Sequence, residues 1–228
     1  MNPGNIYVVV PCYNEIQVIS DTIKNLLPYN YNIIVVNDGS NQNIKAAISD
    51  LPIIYAEHKI NLGQGAALRT GSDLAMKKGA EVIVHFDSDG QHLASDIAAM
   101  IEPLRDNKVD IVIGSRFLTE KDKIAIPKKR RRLLRIARIV NFILTGVKLT
   151  DAHNGFRAMN RTAGACMKIR ENRMAHASEI LILIRKNKLR YTECATHIVY
   201  SDYSKQKGQS PLNSINIVID LILNKIFK

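Results

Sequence analysis

The strongest restriction on the fold is a series of short, unbroken apolar runs, each closing on a polar turn. In the central one, residues 81–86, four of six side chains are apolar and the β-branched Val82, Ile83 and Val84 stand together, which predicts a buried strand. Asp87-Ser-Asp-Gly-Gln91 follows directly. Ligands of an open α/β sheet bind at the carboxyl ends of its strands. There, alternate residues of an extended chain point the same way, so Asp87 and Asp89 can converge on one cation. Gly90 lets the chain turn and Gln91 adds a neutral oxygen, so Asp87, Asp89 and Gln91 form a set of hard donors suited to magnesium or manganese shared with substrate phosphates. Asp-Ser-Asp-Gly is also a common turn that binds nothing, and the rest of the chain must decide between the two.

The other runs repeat the pattern. Ile6 to Val10, Asn32 to Val36, Ile53 to Ala56 and Val109 to Ile113 read as further strands, with Pro11 ending the first. Asn14 is placed to cap a helix formed by Ile16, Val18, Ile19, Ile23, Leu26 and Leu27, and the stretch from Asn61 to Gly71 opens another helix reaching Lys78. Strands alternating with helices call for an α/β fold, a mostly parallel sheet with helices on both faces. Tyr13, Glu15, Asp38, Asp87 and Asp89 all follow strand ends and can surround one ligand. Gly63-Gln-Gly65 lacks the third glycine of a dinucleotide fingerprint, and no P-loop sequence occurs; these glycines serve either close helix packing or a nearby nucleotide.

Val8-Val-Val-Pro-Cys-Tyr-Asn-Glu15, Asn37-Asp-Gly-Ser40, Asn61 to Gly71, Asp87-Ser-Asp-Gly-Gln91 and Gly114-Ser-Arg-Phe117 occur in the order seen in family 2 glycosyltransferases. The chain most resembles the dolichol- and polyprenyl-phosphate sugar synthases. The resemblance implies a GT-A fold that binds a nucleoside diphosphate sugar, UDP- or GDP-linked, and inverts the anomeric centre. On that basis Pro11, Tyr13 and Glu15 would hold base and ribose, with Asp38 on the base and Gly65 and Ser115 among the substrate-binding residues. Asp87, Asp89 and Gln91 would form the metal and diphosphate site, and Arg116 would lie near the sugar or acceptor phosphate. Asp151-Ala-His-Asn-Gly-Phe-Arg-Ala158 extends the likeness and would bring Arg157 to a phosphate, the alternative being a strand residue in a surface ion pair.

The second half, 118–228, has a different composition and is expected to face acceptor and membrane, within the same single domain as the nucleotide-sugar half, 1–117. Net charge is +11, and nine of the 32 basic residues lie between Lys121 and Arg138. Lys128 to Arg132 are five consecutive cations; from Leu133 to Leu144 only Arg135, Arg138 and Asn141 are polar, leaving a narrow polar stripe beside a broad apolar face. Such a helix suits a bilayer interface, with Arg130, Arg131, Arg132 and Arg135 on lipid phosphates, each cation adding about 1 kcal/mol. A buried helix with a solvated basic cap is the alternative. A nucleic-acid patch is disfavoured, for the segment has no interleaved aromatics and no recognisable binding module.

Relatives that glycosylate a hydroxyl usually carry a Glu-Asp pair here as general base, and this sequence has none. A phosphate monoester is already anionic and needs cations rather than a base, which favours a polyprenyl phosphate acceptor over a lipid-linked glycan, with Asp151 or Glu179 as the remaining base candidates. His153 reads as a surface or hydrogen-bonded residue and His176 as a helix start. Thr192 to Tyr200 reads as a strand, and Tyr200, Tyr203, Lys205 and Lys207 as surface or lid. Pro211 opens a last helix whose apolar face packs on the domain, on a second subunit as a homo-oligomer, or on the membrane. Three cysteines without paired spacing, no secretory signal and no run of roughly 18 apolar residues predict a cytoplasmic protein, peripheral to the inner membrane face.

Overall fold

The computed structural model describes residues 3–118, 138–139, 141–151 and 154–199. The basic residues Arg130, Arg131, Arg132 and Arg135, His153, the candidate lid from Tyr200 and the last helix from Pro211 lie outside the described residues.

Seven strands form one sheet: β1 (Ile6–Cys12), β2 (Asn32–Asn37), β3 (Ile54–Glu57), β4 (Val82–His85), β5 (Ile111–Ser115), β6 (Arg157–Asn160) and β7 (Tyr191–Ala195). Their order is β3-β2-β1-β4-β6-β5-β7. All neighbours run parallel except β6, which is antiparallel to both β4 and β5. The flanking helices are α1 (Ile19–Leu26), α2 (Ile44–Ala47), α3 (Gln64–Lys77), α4 (Asp96–Ile101), α5 (Arg161–Cys166) and α6 (His176–Lys186).

Two cores result, because successive side chains of a strand face opposite ways. Val8, Val10, Val82 and Val84 pack with Ile19 and Ile23 of α1, Ile44 of α2 and Ile97 and Met100 of α4. Val9, Ile34, Ile83 and Met159 pack with Ala67 and Leu68 of α3 and Ile180, Leu181 and Ile184 of α6. The sheet is covered on both faces, so its central strands are continuous apolar runs.

Several sequence expectations shift. Pro11 does not end β1; it pairs with Val36 inside the strand. Its missing N–H falls on the β4 side, past the last β1–β4 pair at Val9 and His85, so no ladder bond is lost. Asn14 is not a helix cap. It adopts a left-handed φ of 56° and its side chain accepts from the Asn41 amide, while α1 starts at Ile19. Val109 and Asp110 stay outside β5 because Asp110 turns to take the backbone and guanidinium N–H groups of Arg190. The chain leaves β7 after Ala195 and lies over the loop following β4, with the Val199 amide on the Gln91 carbonyl and the His197 amide on Asp96.

Candidate active site at the carboxyl edge of the sheet

The carboxyl ends of β1, β2 and β4 bring Tyr13, Glu15, Asp38, Asp87 and Asp89 to one edge. Tyr13 is exposed and Glu15 half-buried; the Glu15 carbonyl accepts from the Val18 and Ile19 amides and so starts α1. Asp38 is buried, and both its oxygens are engaged: His58 Nδ1 and the Leu62 amide on Oδ1, Asn61 Nδ2 and the Gly63 amide on Oδ2. His58 Nε2 in turn accepts from Thr70. Asp38 therefore braces the 58–63 loop, a role its sequence position did not suggest.

Gly63 and Gly65 let the start of α3 lie against the 171–173 backbone. A Cβ at Gly65 would overlap the Glu171 carbonyl, and the Ala66 amide donates to the Asn172 carbonyl. Close packing accounts for Gly65, and it also sets Gln64 where Nε2 reaches Asp87 Oδ1 at 2.9 Å.

Asp87 and Asp89 have opposite surroundings. Burial works against ionisation of Asp87, but the His92 hydrogen bond and the charge of Arg157 outweigh it, joined in acid by the protonated histidines, and hold the carboxyl below its usual value. His92 donates Nε2–H to Asp87 Oδ2 at 3.1 Å. Asp89 is pushed up to about 6, first by burial and then by the charge of Asp87, with Glu15 adding to it. Its Oδ1 accepts the Gln91 amide, closing the turn. A carboxylate so disfavoured beside another carboxylate fits a position that a cation would occupy. Among the described residues no group of three or more His, Cys, Asp or Glu side chains forms a cage.

The expected cations are in the wall behind this edge. Arg116 makes a bidentate pair with Asp151, Nε at 2.6 Å and Nη2 at 2.8 Å, with both side chains largely buried. Asp151 is itself held by Glu193 of β7, which accepts from the Thr150 and Asp151 amides. Ser115 is fully buried and braces the same segment through Thr150 at 2.6 Å. Arg157 is not in a surface ion pair. It lies in β6 opposite His85 and Ile113, is 2% exposed, and its Nε has no hydrogen-bond partner among the described residues. Burial lowers its guanidinium to about 10 while Asp87 and Asp151 pull the other way. His85 and His176 share this interior, driven chiefly by burial to about 3 and about 4, and both are neutral at pH 7.

Residues 138–139 and 141–145 are helical, and of the three polar positions expected on one stripe Asn141 turns inward. Asn141 is buried and accepts from Ser178 of α6, while Ile139, Phe142 and Ile143 are 55%, 49% and 71% exposed. No helix among the described residues is long and apolar enough to cross a membrane.

The sheet order, the antiparallel β6 and the acidic edge after β4 define a GT-A fold. Solved structures agree: glucosyl-3-phosphoglycerate synthase of Mycobacterium tuberculosis, in complex with Mn2+, UDP and glucosyl-3-phosphoglycerate, superposes with a TM-score of 0.65 at 16% identity, over 96% of this chain and 80% of that one. The sequence model of glycosyl transferase family 2 matches residues 7–166, and the chain belongs to that family. It is 32% identical to the UDP-N-acetylglucosamine–dolichyl-phosphate N-acetylglucosaminyltransferase of Methanococcus voltae over 98% of this chain and 97% of the relative. It is 29% identical to the polyprenol monophosphomannose synthase of Mycolicibacterium smegmatis over 68% of this chain and 61% of that protein.

Proposed function

We propose that the chain is a metal-dependent, inverting glycosyltransferase that moves a hexose from a UDP- or GDP-sugar to a polyprenyl phosphate at the cytoplasmic face of the membrane. The acceptor is supported by the dolichyl- and polyprenyl-phosphate activities of the relatives from M. voltae and M. smegmatis. The observation that carries it in this chain is the fate of the two base candidates. Asp151 is locked onto Arg116, and Glu179 accepts the Arg170 and Glu171 amides. Neither is poised to take a proton from a hydroxyl, whereas a phosphate oxygen attacks without losing one.

In this reading Tyr13 and Glu15 flank the nucleoside, and Asp87, Asp89 and Gln91 hold the cation beside the diphosphate. Magnesium or manganese bound there would neutralise the charge of the departing nucleotide. Arg157, buried in the wall, and Arg116, its charge shared with Asp151, would favour the acceptor phosphate through their field rather than by direct contact. The exposed Ile139, Phe142 and Ile143, which follow the basic segment in sequence, face the bilayer and seat the polyprenyl chain.

The test is incubation of purified protein with UDP- and GDP-sugars, manganese and undecaprenyl or dolichyl phosphate. A lipid product labile to mild acid is the expected result. Transfer only to a lipid-linked glycan hydroxyl would replace the acceptor, and activity undiminished in excess chelator would end the metal-dependent mechanism.

A further inference from the structure

Asp87 is gripped from three elements. Gln64, in the first turn of α3, donates to Oδ1 at 2.9 Å, and His92, on the loop after β4, donates to Oδ2 at 3.1 Å. Behind the carboxylate the chain enters β6 through Gly155, where any Cβ would fall on Oδ2. The imidazole of His92 is fixed in turn. Its centroid lies 5.0 Å from the Phe156 ring and 5.6 Å from the Phe86 ring, and its Nδ1 is buried with no hydrogen-bond partner among the described residues. An orphaned buried nitrogen destabilises a fold, and a phenyl ring would fill the same space without that cost. Only the bond to Asp87 repays an imidazole here.

We propose that His92 and Gln64 are positioning residues that hold Asp87 in the single orientation able, with Asp89, to receive a divalent cation and its nucleoside diphosphate, and that Gly155 is glycine to leave the carboxylate its seat. The proposal rests on the cation reading given above. After accepting one N–H, each Asp87 oxygen keeps lone-pair capacity for a metal, so the grip orients the ligand without consuming it. Outer contacts of this kind commonly change metal affinity by about 10–100-fold.

Wild type, His92→Phe, His92→Gln, Gln64→Leu and Gly155→Ala would be compared by thermal unfolding in chelator, and by manganese binding in the presence of UDP or GDP, followed by electron paramagnetic resonance. His92→Phe, which keeps the ring packing against Phe86 and Phe156, is expected to unfold in a single cooperative transition and to bind manganese about tenfold more weakly. In His92→Gln the side-chain amide nitrogen replaces the ring donor, and its affinity should stay within about threefold of wild type. Gln64→Leu and Gly155→Ala should weaken binding by about tenfold. Manganese binding as tight in His92→Phe as in wild type overturns the proposal. Wild type that binds manganese yet moves no sugar onto a polyprenyl phosphate refutes the acceptor assignment and leaves the grip on Asp87 intact. Wild type that binds no manganese with either nucleotide overturns this proposal and the cation reading together.

Discussion

Asp87 and Asp89 are chemically identical and one residue apart, yet the fold drives one down and the other up. For Asp89 the sign is explicit. Its folded value, about 6, exceeds the ordinary 3.8, so the metal-free protein holds a proton there that the unfolded chain has lost. Stability therefore falls as pH rises from about 4 to 6 and stays lowered above that. Asp89→Asn removes the penalty and should stabilise the protein in chelator at pH 7 by on the order of 1–2 kcal/mol, a gain that fades toward pH 4. Calorimetry at both pH values checks this; equal melting temperatures at pH 7 would remove the argument. Manganese competes with the same proton, so affinity should drop about tenfold per pH unit below about 6. Titrations between pH 5 and 7.5 measure it. The two aspartates were legible because they close an apolar run; His92 stood in the same stretch and was missed. A histidine's partner is set by the rotation of the loop after β4 and by two phenyl rings, Phe86 and Phe156, that are 70 positions apart in a sequence of otherwise unremarked aromatics.

Among the elements, β7 and the 147–151 segment decide where Arg116 sits. Glu193 takes two amides and the Thr150 hydroxyl, and Asp151, so held, takes Arg116. Glu193→Ala should cost roughly 2 kcal/mol, and should raise KM for the acceptor more than for the donor sugar. Steady-state kinetics with each substrate varied separates the two. Asp151→Ala is more severe, for it leaves a buried guanidinium unpaired, and should destabilise by roughly 3–5 kcal/mol in denaturant unfolding. The parallel strands β1 to β4 were readable from apolar runs between turn residues. β6 was legible only as the alternative reading of Arg157 as a strand residue: Arg157 breaks its apolar pattern, it has four residues, and its direction depends on pairing with β4 and β5, both distant in sequence. The cap of α1 was misread because Asn14, in a left-handed turn, bonds forward to Asn41 rather than to its own helix.

For the molecule as a whole, the +11 charge and the exposed Ile139, Phe142 and Ile143 predict binding to anionic vesicles that weakens with salt. Flotation with phosphatidylglycerol vesicles should recover the protein at about 0.1 M salt and lose most of it near 1 M. Phe142→Ser with Ile143→Ser should abolish flotation while the melting temperature stays close to wild type, since both side chains already face water. Retention of the double variant on vesicles would reassign the patch. The split into a nucleotide half and an acceptor half follows composition, but the sheet ignores it: β6 and β7, from the second half, enclose β5 from the first. The chain departs at the end of β5 and returns through β6 beside it, so the stretch between them begins and ends at one spot on the molecule. Closure at one point lets the middle of that excursion vary in sequence without redirecting a strand, while Val147, Leu149 and Asp151, near its return, stay tied to the buried wall.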